Sequence, residues 1–319
     1  MTNDLTPSDT IEVVEVSPDT AAVALAALDA DEAARGSSLV DEAEHLRLRR
    51  FVGTGDRVAG WQAVVGLDPN GTGVLGYGGL VAAGPGERTF ADVAVFVDAD
   101  AGASARGLVL RRLLSEGGAR ADAVGLSDVQ VWIRQVGDVE IDTAASVGFS
   151  VERRLGVLGR HLDDVEVVAP GDGWAIRAYR PDADDEAVVA ALAAAYAGTD
   201  EGGWTLAQFR ERRGYDWFDP ADLLLVEDGA GRIAGLHWLK RRSSDRGEVY
   251  NLAIDPTAQG AGLGAALLTA GLAHLRDLGC LDVMLWVDRA NDRAVRLYEK
   301  YGFTTRWDDV AFRRTRATV

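Results

Sequence analysis

The chain has 319 residues, 47% of them hydrophobic and 26% charged, which is enough for two domains of ordinary size, each with its own core. Its 50 acidic against 33 basic side chains leave a net charge of −17, which opposes non-specific binding to nucleic acid or to an anionic membrane and suits a neutral or cationic small molecule. The single Cys280 excludes an intrachain disulfide, the four scattered histidines give no metal-ligand spacing, and no run approaches the ~18 apolar residues of a membrane span. The opening MTNDLTPSDT lacks the basic and apolar regions of a signal peptide, so the expectation is a cytoplasmic, monomeric protein without a metal, a membrane or a nucleic-acid partner.

In chain order, IEVVEV (11–16) alternates as a strand and precedes an Ala-rich helix. ADVAVFVDADAGASARGLVLRRLL (91–114) reads as strand, glycine-containing loop and helix; VQVWIRQVGDVEIDTAASVGF (129–149) as strand, helix and a Gly-Phe turn. DDVEVVAPGDG (163–173) carries Pro170 and two glycines and reads as a linker. WAIRAYR (174–180) then opens the same order again. EVYNLAIDPTAQGAGLGAALLTAG (248–271) lies over 91–114, with Asp98 and Asp255 157 apart, and VMLWVDRANDRAVRLYEKYGF (283–303) lies over 129–149, with Trp132 and Trp286 154 apart. Two copies of one α/β unit follow, expected over residues 1–165 and 173–319.

In the second copy four glycines, Gly260, Gly262, Gly264 and Gly271, cluster where a strand ending at Ile254 gives way to a helix. Amides at a helix N-terminus bind anions, and glycine lets a phosphate come close. A dinucleotide fingerprint fits poorly, because Asp255 to Ala258 separate strand and glycines; a bare strand-to-helix turn without ligand is the plain alternative.

Gln259-x-x-Gly262-x-Gly264 after a strand, with NDRAVRLYEKYGF some 30 residues on, resembles the acetyl-CoA signature of the GCN5-related N-acetyltransferase (GNAT) family. The resemblance implies an α/β (α+β) fold of two tandem GNAT domains, each a mixed, mostly antiparallel sheet flanked by helices. It implies that acetyl-CoA lies along Leu252, Ala253 and Ile254, the loop Gln259, Gly260, Ala261, Gly262, Leu263, Gly264 and Ala265, and the helix start Asn291, Asp292, Arg293, Ala294, Val295 and Arg296. Leu252 N–H would polarise the thioester carbonyl, Tyr298 would protonate the departing thiolate and Glu248 would take the amine proton. Each residue also has a plain reading. Tyr298 falls with Ala294, Leu297 and Tyr301 on an apolar helix face, Asn291 suits an N-cap, and Glu248 a solvated strand end.

By the same offsets the first copy has Ala91 for Glu248, Gly102 for Gln259, Ala105 for Gly262 and Ala144 for Tyr298, and keeps Gly107 for Gly264, so it reads as non-catalytic. DEGGWT (200–205), WFDPADLLLV (217–226), GLHWLK (235–240) and GEVYNLAIDP (247–256) resemble, in that order, tandem acetyltransferases of actinobacteria that acetylate the cysteinyl amine of a cysteinyl-glucosaminyl-inositol. This implies that Asp200, Lys240, Glu248 and Trp286, with Glu42 from the first copy, contact that substrate, although the family usually has glutamate and tyrosine where Asp200 and Trp286 stand. Trp217, Phe218, His237 and Trp238 read mainly as core, and Lys240 also suits a solvated loop. A tandem enzyme for another small amine, or a non-catalytic acyl-CoA-binding regulator, are the competing readings; a regulator needs neither Glu248 nor Tyr298.

Overall fold

Strand and helix boundaries follow local chemistry. Helix α1 (Pro18–Arg35) begins at Ser17, whose hydroxyl accepts the Thr20 amide at 3.2 Å, and ends at Gly36 with φ 76°. Helix α2 (Glu42–Thr54) is capped by Asp41 and closed by Gly55. The structure, a computed structural model, describes residues 11–71, 73–81, 89–97, 103–126, 128–197 and 203–315. Asp200 therefore lies outside the described residues, as does Gly102.

The described residues of Met1–Gly156, Asp288–Ala290 and Trp307–Val319 form one compact unit, and those of Val157–Val287 and Asn291–Arg306 a second. The first holds α1, α2, α3 (Ala103–Ala123) and α4 (Asp138–Ser146) with strands β1 (Glu12–Glu15), β2 (Trp61–Leu67), β3 (Val74–Val81), β4 (Thr89–Val95) and β5 (Asp128–Val136). Strand β6 (Ser150–His161) leads into the second unit, which holds β7 (Trp174–Ala178), α5 (Asp185–Ala195), α6 (Leu206–Arg213), β8 (Leu223–Asp228), β9 (Ile233–Arg241), β10 (Arg246–Ile254), α7 (Leu263–Asp277), β11 (Asp282–Asp288) and α8 (Asp292–Lys300). The division differs from 1–165 and 173–319 at Gly156–Val157, at Asp288–Ala290 and at the C-terminus. There β12 (Thr304–Thr315) pairs antiparallel with β5 from Asp308 to Thr315, an arrangement reinforced by Arg313 on Asp128 at 2.8 Å.

The strands run in the order β1-β2-β3-β4-β5-β12 in the first unit and β6-β11-β10-β9-β8-β7 in the second. Each unit contains a parallel pair, β4 with β5 and β10 with β11, next to an antiparallel one, β3 with β4 and β9 with β10. In the second unit Leu239, Val249, Val283 and Leu285 pack on Leu268, Leu272 and Leu275 of α7, while Leu225, Leu236 and Trp238 pack on Val188, Leu192 and Phe209 of α5 and α6. The sheet is thus covered on both faces, which explains the near-continuous apolar runs of β8 and β9.

Candidate active site

The site grows from one irregularity in β10. Its register with β9 slips between Val249 and Asn251, leaving Tyr250 as the extra residue of a β-bulge. The bulge inverts which residues face α7. Before it, Gly247 and Val249 do so, and a Cβ on Gly247 would meet Leu275 Cδ1 at 2.6 Å. After it, Leu252 and Ile254 pack on the α7 side and Ala253 on the other.

The same slip sets where the backbone points. Asp255 N donates to Ala234 O at 2.9 Å, and hydrogen-bonded pairs alternate along an antiparallel ladder. Leu252 and Ile254 consequently direct N–H and C=O away from β9, toward β11. On that side the parallel pairing runs only from Arg246 with Asp282 to Val249 with Leu285. The two strands part beyond it, and the gap receives the polar backbone of Leu252 and Ile254. Strand β4 of the first unit carries no bulge against β3, its register being constant from Gly76–Val95 to Val81–Phe90.

Beyond Ile254 the chain makes a short turn over Pro256–Ala258 and enters the glycine loop. Gly260 and Gly262 have φ of 91° and 77°, which L side chains rarely adopt, and nothing lies within 4 Å of a Cβ on either. Gly262 directly precedes α7, so the Leu263 and Gly264 amides, in the first turn, have no intrahelical acceptor. Gln259 joins the loop to its surroundings: its amide donates to Ile254 O at 3.4 Å and accepts from Arg293 of α8. A guanidinium is thereby fastened beside the helix N-terminus, which favours an anionic ligand although the whole chain is acidic. Gly271 belongs elsewhere. A Cβ there would meet His237 Nδ1 at 2.3 Å, so this glycine serves packing inside α7 rather than the loop.

Of the other expected residues, Asn291 is the N-cap of α8, its side chain accepting the Ala294 amide at 3.1 Å, and Asp292 pairs with Arg296 at 3.8 Å. Tyr298 is 7% exposed and packs edge-on against Phe303 at 5.6 Å. Burial, and secondarily the neighbouring Tyr196, raise its phenol well above the ordinary value, so it stays protonated and able to donate. The core reading of this tyrosine is thus met, and the phenol retains its proton.

Lys240, Glu248 and Met284 are cross-strand neighbours on β9, β10 and β11, and Trp286 follows two residues after Met284 on the same face, away from α7. Glu248 is 5% exposed and accepts from Arg242 Nε at 2.7 Å, while the Arg242 guanidinium lies 5.3 Å from the Trp286 ring centre. Lys240 is held by aromatics rather than by water alone, its Nζ 4.6 Å from the Trp217 ring and 5.8 Å from that of Tyr250. Arg212 stacks on Trp204 at 4.0 Å. This face of an acidic protein therefore carries three cations seated on rings. Trp238 is fully buried among Phe209, Trp217, Phe218 and Tyr250, and the buried His237 is held at about 4 by desolvation, with Nδ1 2.8 Å from Leu267 O; both serve the core. Arg242 lies just past the end of β9, in a charged stretch that gave it no signal of its own, and Tyr196 carried none either.

In the first unit Glu42 is exposed at the start of α2, whereas Glu44 is buried and accepts from Trp61 Nε1 at 2.9 Å, from Arg47 Nε at 2.8 Å and from the Tyr77 hydroxyl. Counted back across the bulge, the counterpart of Glu248 is Asp92 rather than Ala91. The first copy thus retains a buried carboxylate, and its burial pushes Asp92 up to about 7 despite Arg134 at 3.6 Å.

Among described residues no cluster of three or more His, Cys, Asp or Glu could hold a metal, and no described helix is long and apolar enough to cross a membrane. Residues 189–303 match the model of the acetyltransferase (GNAT) family. The chain is similar to mycothiol acetyltransferases of Salinispora tropica, 39% identical over 95% of this chain and 94% of that protein, and of Mycolicibacterium vanbaalenii, 37% identical over 74% and 78%. Its fold is similar to that of a GCN5-related N-acetyltransferase from Sphaerobacter thermophilus, with TM-score 0.70, 22% identity and 97% coverage of both chains. It is likewise similar to a tandem GNAT protein of the clavulanic acid pathway, with TM-score 0.64, 14% identity and coverage of 97% and 100%.

Proposed function

Because this chain belongs to the mycothiol acetyltransferase family of GNAT proteins, we propose that it transfers the acetyl group of acetyl-CoA to the cysteinyl amine of cysteinyl-glucosaminyl-inositol, the last step of mycothiol formation. The observation that carries the reading is the parting of β10 from β11 after Val249, with the N–H and C=O of Leu252 and Ile254 turned into the gap and the αL glycines at its end. Acetyl-CoA supplies an activated thioester, and an extended pantetheine arm bonds backbone as a strand would.

The loop amides from Gln259 to Ala265 and the guanidinium of Arg293 would hold the pyrophosphate. Leu252 N–H would receive the charge that develops on the thioester oxygen, a role for which a fixed backbone donor needs no reorganisation. Tyr298, kept neutral by burial, would give its proton to the departing sulfur. Glu248 would accept the amine proton, directly or through water. Lys240 and Arg242 act in the same direction by electrostatics: a bound amine near cations is more acidic, so less proton remains to be removed. Trp286 offers a flat face for the sugar, with Lys240 and Asp200 as hydroxyl and ammonium partners.

The test is CoA release by the purified protein with acetyl-CoA and, in separate reactions, cysteinyl-glucosaminyl-inositol, free cysteine, glucosamine and an aminoglycoside. The expected outcome is the highest kcat/KM for the first. A higher value for cysteine or the aminoglycoside would overturn the acceptor and leave the acetyl transfer.

A further inference from the structure

A second phenol stands at the same gap. Tyr196, which ends α5, donates its hydroxyl to Leu252 O at 3.2 Å. Its ring is part-buried among the aromatics under α5 and α6, so the bond is made from the face opposite α7. The register puts Leu252 N–H and C=O on the same side of β10, both toward the parted β11. A carbonyl pointing into that gap has a cost for the chemistry. Its negative end lies close to the N–H that must stabilise a negative oxygen, and an uncompensated lone pair there would repel the very charge the N–H attracts. A hydroxyl donated to that carbonyl removes the conflict and holds the strand just past the bulge, where ladder bonds to β11 have ceased. Tyr196 is also the neighbour whose charge bears on Tyr298, which brings the two phenols to one locality.

We propose that Tyr196 is a positioning residue of the acetyl-transfer site, its hydroxyl neutralising the Leu252 carbonyl and fixing the Leu252 N–H toward the thioester oxygen. The inference rests on the acetyl-transfer reading of the same gap. Tyr196 does not react; it acts through Leu252, which makes its contribution a matter of transition-state rather than ground-state binding.

The test compares wild type, Tyr196→Phe, Tyr298→Phe and the double variant by steady-state kinetics, with melting temperatures as the control for folding. Phenylalanine keeps the ring and its packing, so Tyr196→Phe is expected to melt within a few degrees of wild type. It should lower kcat by roughly 10- to 100-fold, somewhat less than the loss of a direct oxyanion donor, with the KM for acetyl-CoA changed by no more than about twofold. The double variant should lose less than the product of the two single losses, because residues sharing one locality do not act independently. A kcat within about twofold of wild type, or a loss confined to KM, overturns the role of Tyr196 while a slow Tyr298→Phe leaves the acetyl-transfer reading standing. If Tyr298→Phe is unimpaired and Tyr196→Phe is slow, the role of Tyr196 at Leu252 is supported and the acid assignment of Tyr298 falls. If both single variants turn over as wild type does, the roles given to both tyrosines fall.

Discussion

Glu248 accepts a 2.7 Å hydrogen bond from Arg242, and the same guanidinium rests 5.3 Å from the Trp286 ring, so the candidate base is buried as one half of an ion pair that an aromatic ring covers. Glu248→Gln keeps the shape and hydrogen-bonding capacity and removes the proton acceptor. It should lower kcat by about 10²–10⁴-fold in a protein that still folds, with a lower melting temperature because the Arg242 charge loses its buried partner. The loss should shrink at high pH, where the acceptor amine deprotonates unaided. A rate that stays low and flat with pH would count against Glu248 as base.

Gly262 precedes α7 with φ 77°, and Gly231, in the turn between β8 and β9, has φ 82°; a methyl group added to either would have no neighbouring atom within 4 Å. Alanine therefore costs each about 1–2 kcal/mol of backbone strain and no collision. If Gly262 also admits a phosphate, Gly262→Ala should weaken acetyl-CoA binding at least tenfold by calorimetry, while Gly231→Ala leaves it unchanged. Equal dissociation constants for the two variants would show that the loop tolerates a side chain where the pyrophosphate is expected.

Gly271 makes the opposite prediction. Its missing side chain makes room for His237, whose ring would lie 2.3 Å from a Cβ. Gly271→Ala should destabilise the fold by about 1–3 kcal/mol through overpacking, read as a lower melting temperature, with acetyl-CoA affinity of the folded protein retained. Weakened affinity at unchanged stability would return Gly271 to the ligand loop.

Asp92 gives the first unit a pH dependence. Burial raises its carboxyl from 3.8 to about 7, with Asp41 and Glu44 adding to the rise and Arg134 opposing it. The folded state therefore holds the proton more tightly than the unfolded chain. The stability so gained is complete below pH ~4 and is lost as pH rises through 7. Asp92→Asn should raise the melting temperature at pH 8, by the equivalent of about 1–3 kcal/mol once the lost Arg134 contact is allowed for, with the difference vanishing near pH 4. A variant less stable than wild type at pH 8 would mean that the Arg134 pairing outweighs burial.

Sequence alone determined what repeats over short distances. The two copies, the strand–loop–helix order, the Gln259, Gly262 and Gly264 spacing, and the presence of Tyr298 in the second copy where the first has Ala144 were all legible, because period-2 alternation, glycine clusters and motif spacing are local properties of the chain. The tertiary structure decided what depends on pairing between distant segments. The bulge at Tyr250 has no marker of its own, since almost any residue can be the extra one; it appears only when β10 is laid against β9, and it moved the counterpart of Glu248 from Ala91 to Asp92. The return of β12 to β5, the bond from Tyr196 to Leu252 across 56 positions, and the fit of His237 under Gly271 are likewise relations between residues whose separation in sequence carries no signal. The candidate side chains were written in the chain, and the direction of the Leu252 and Ile254 backbone was set by a one-residue slip between two strands.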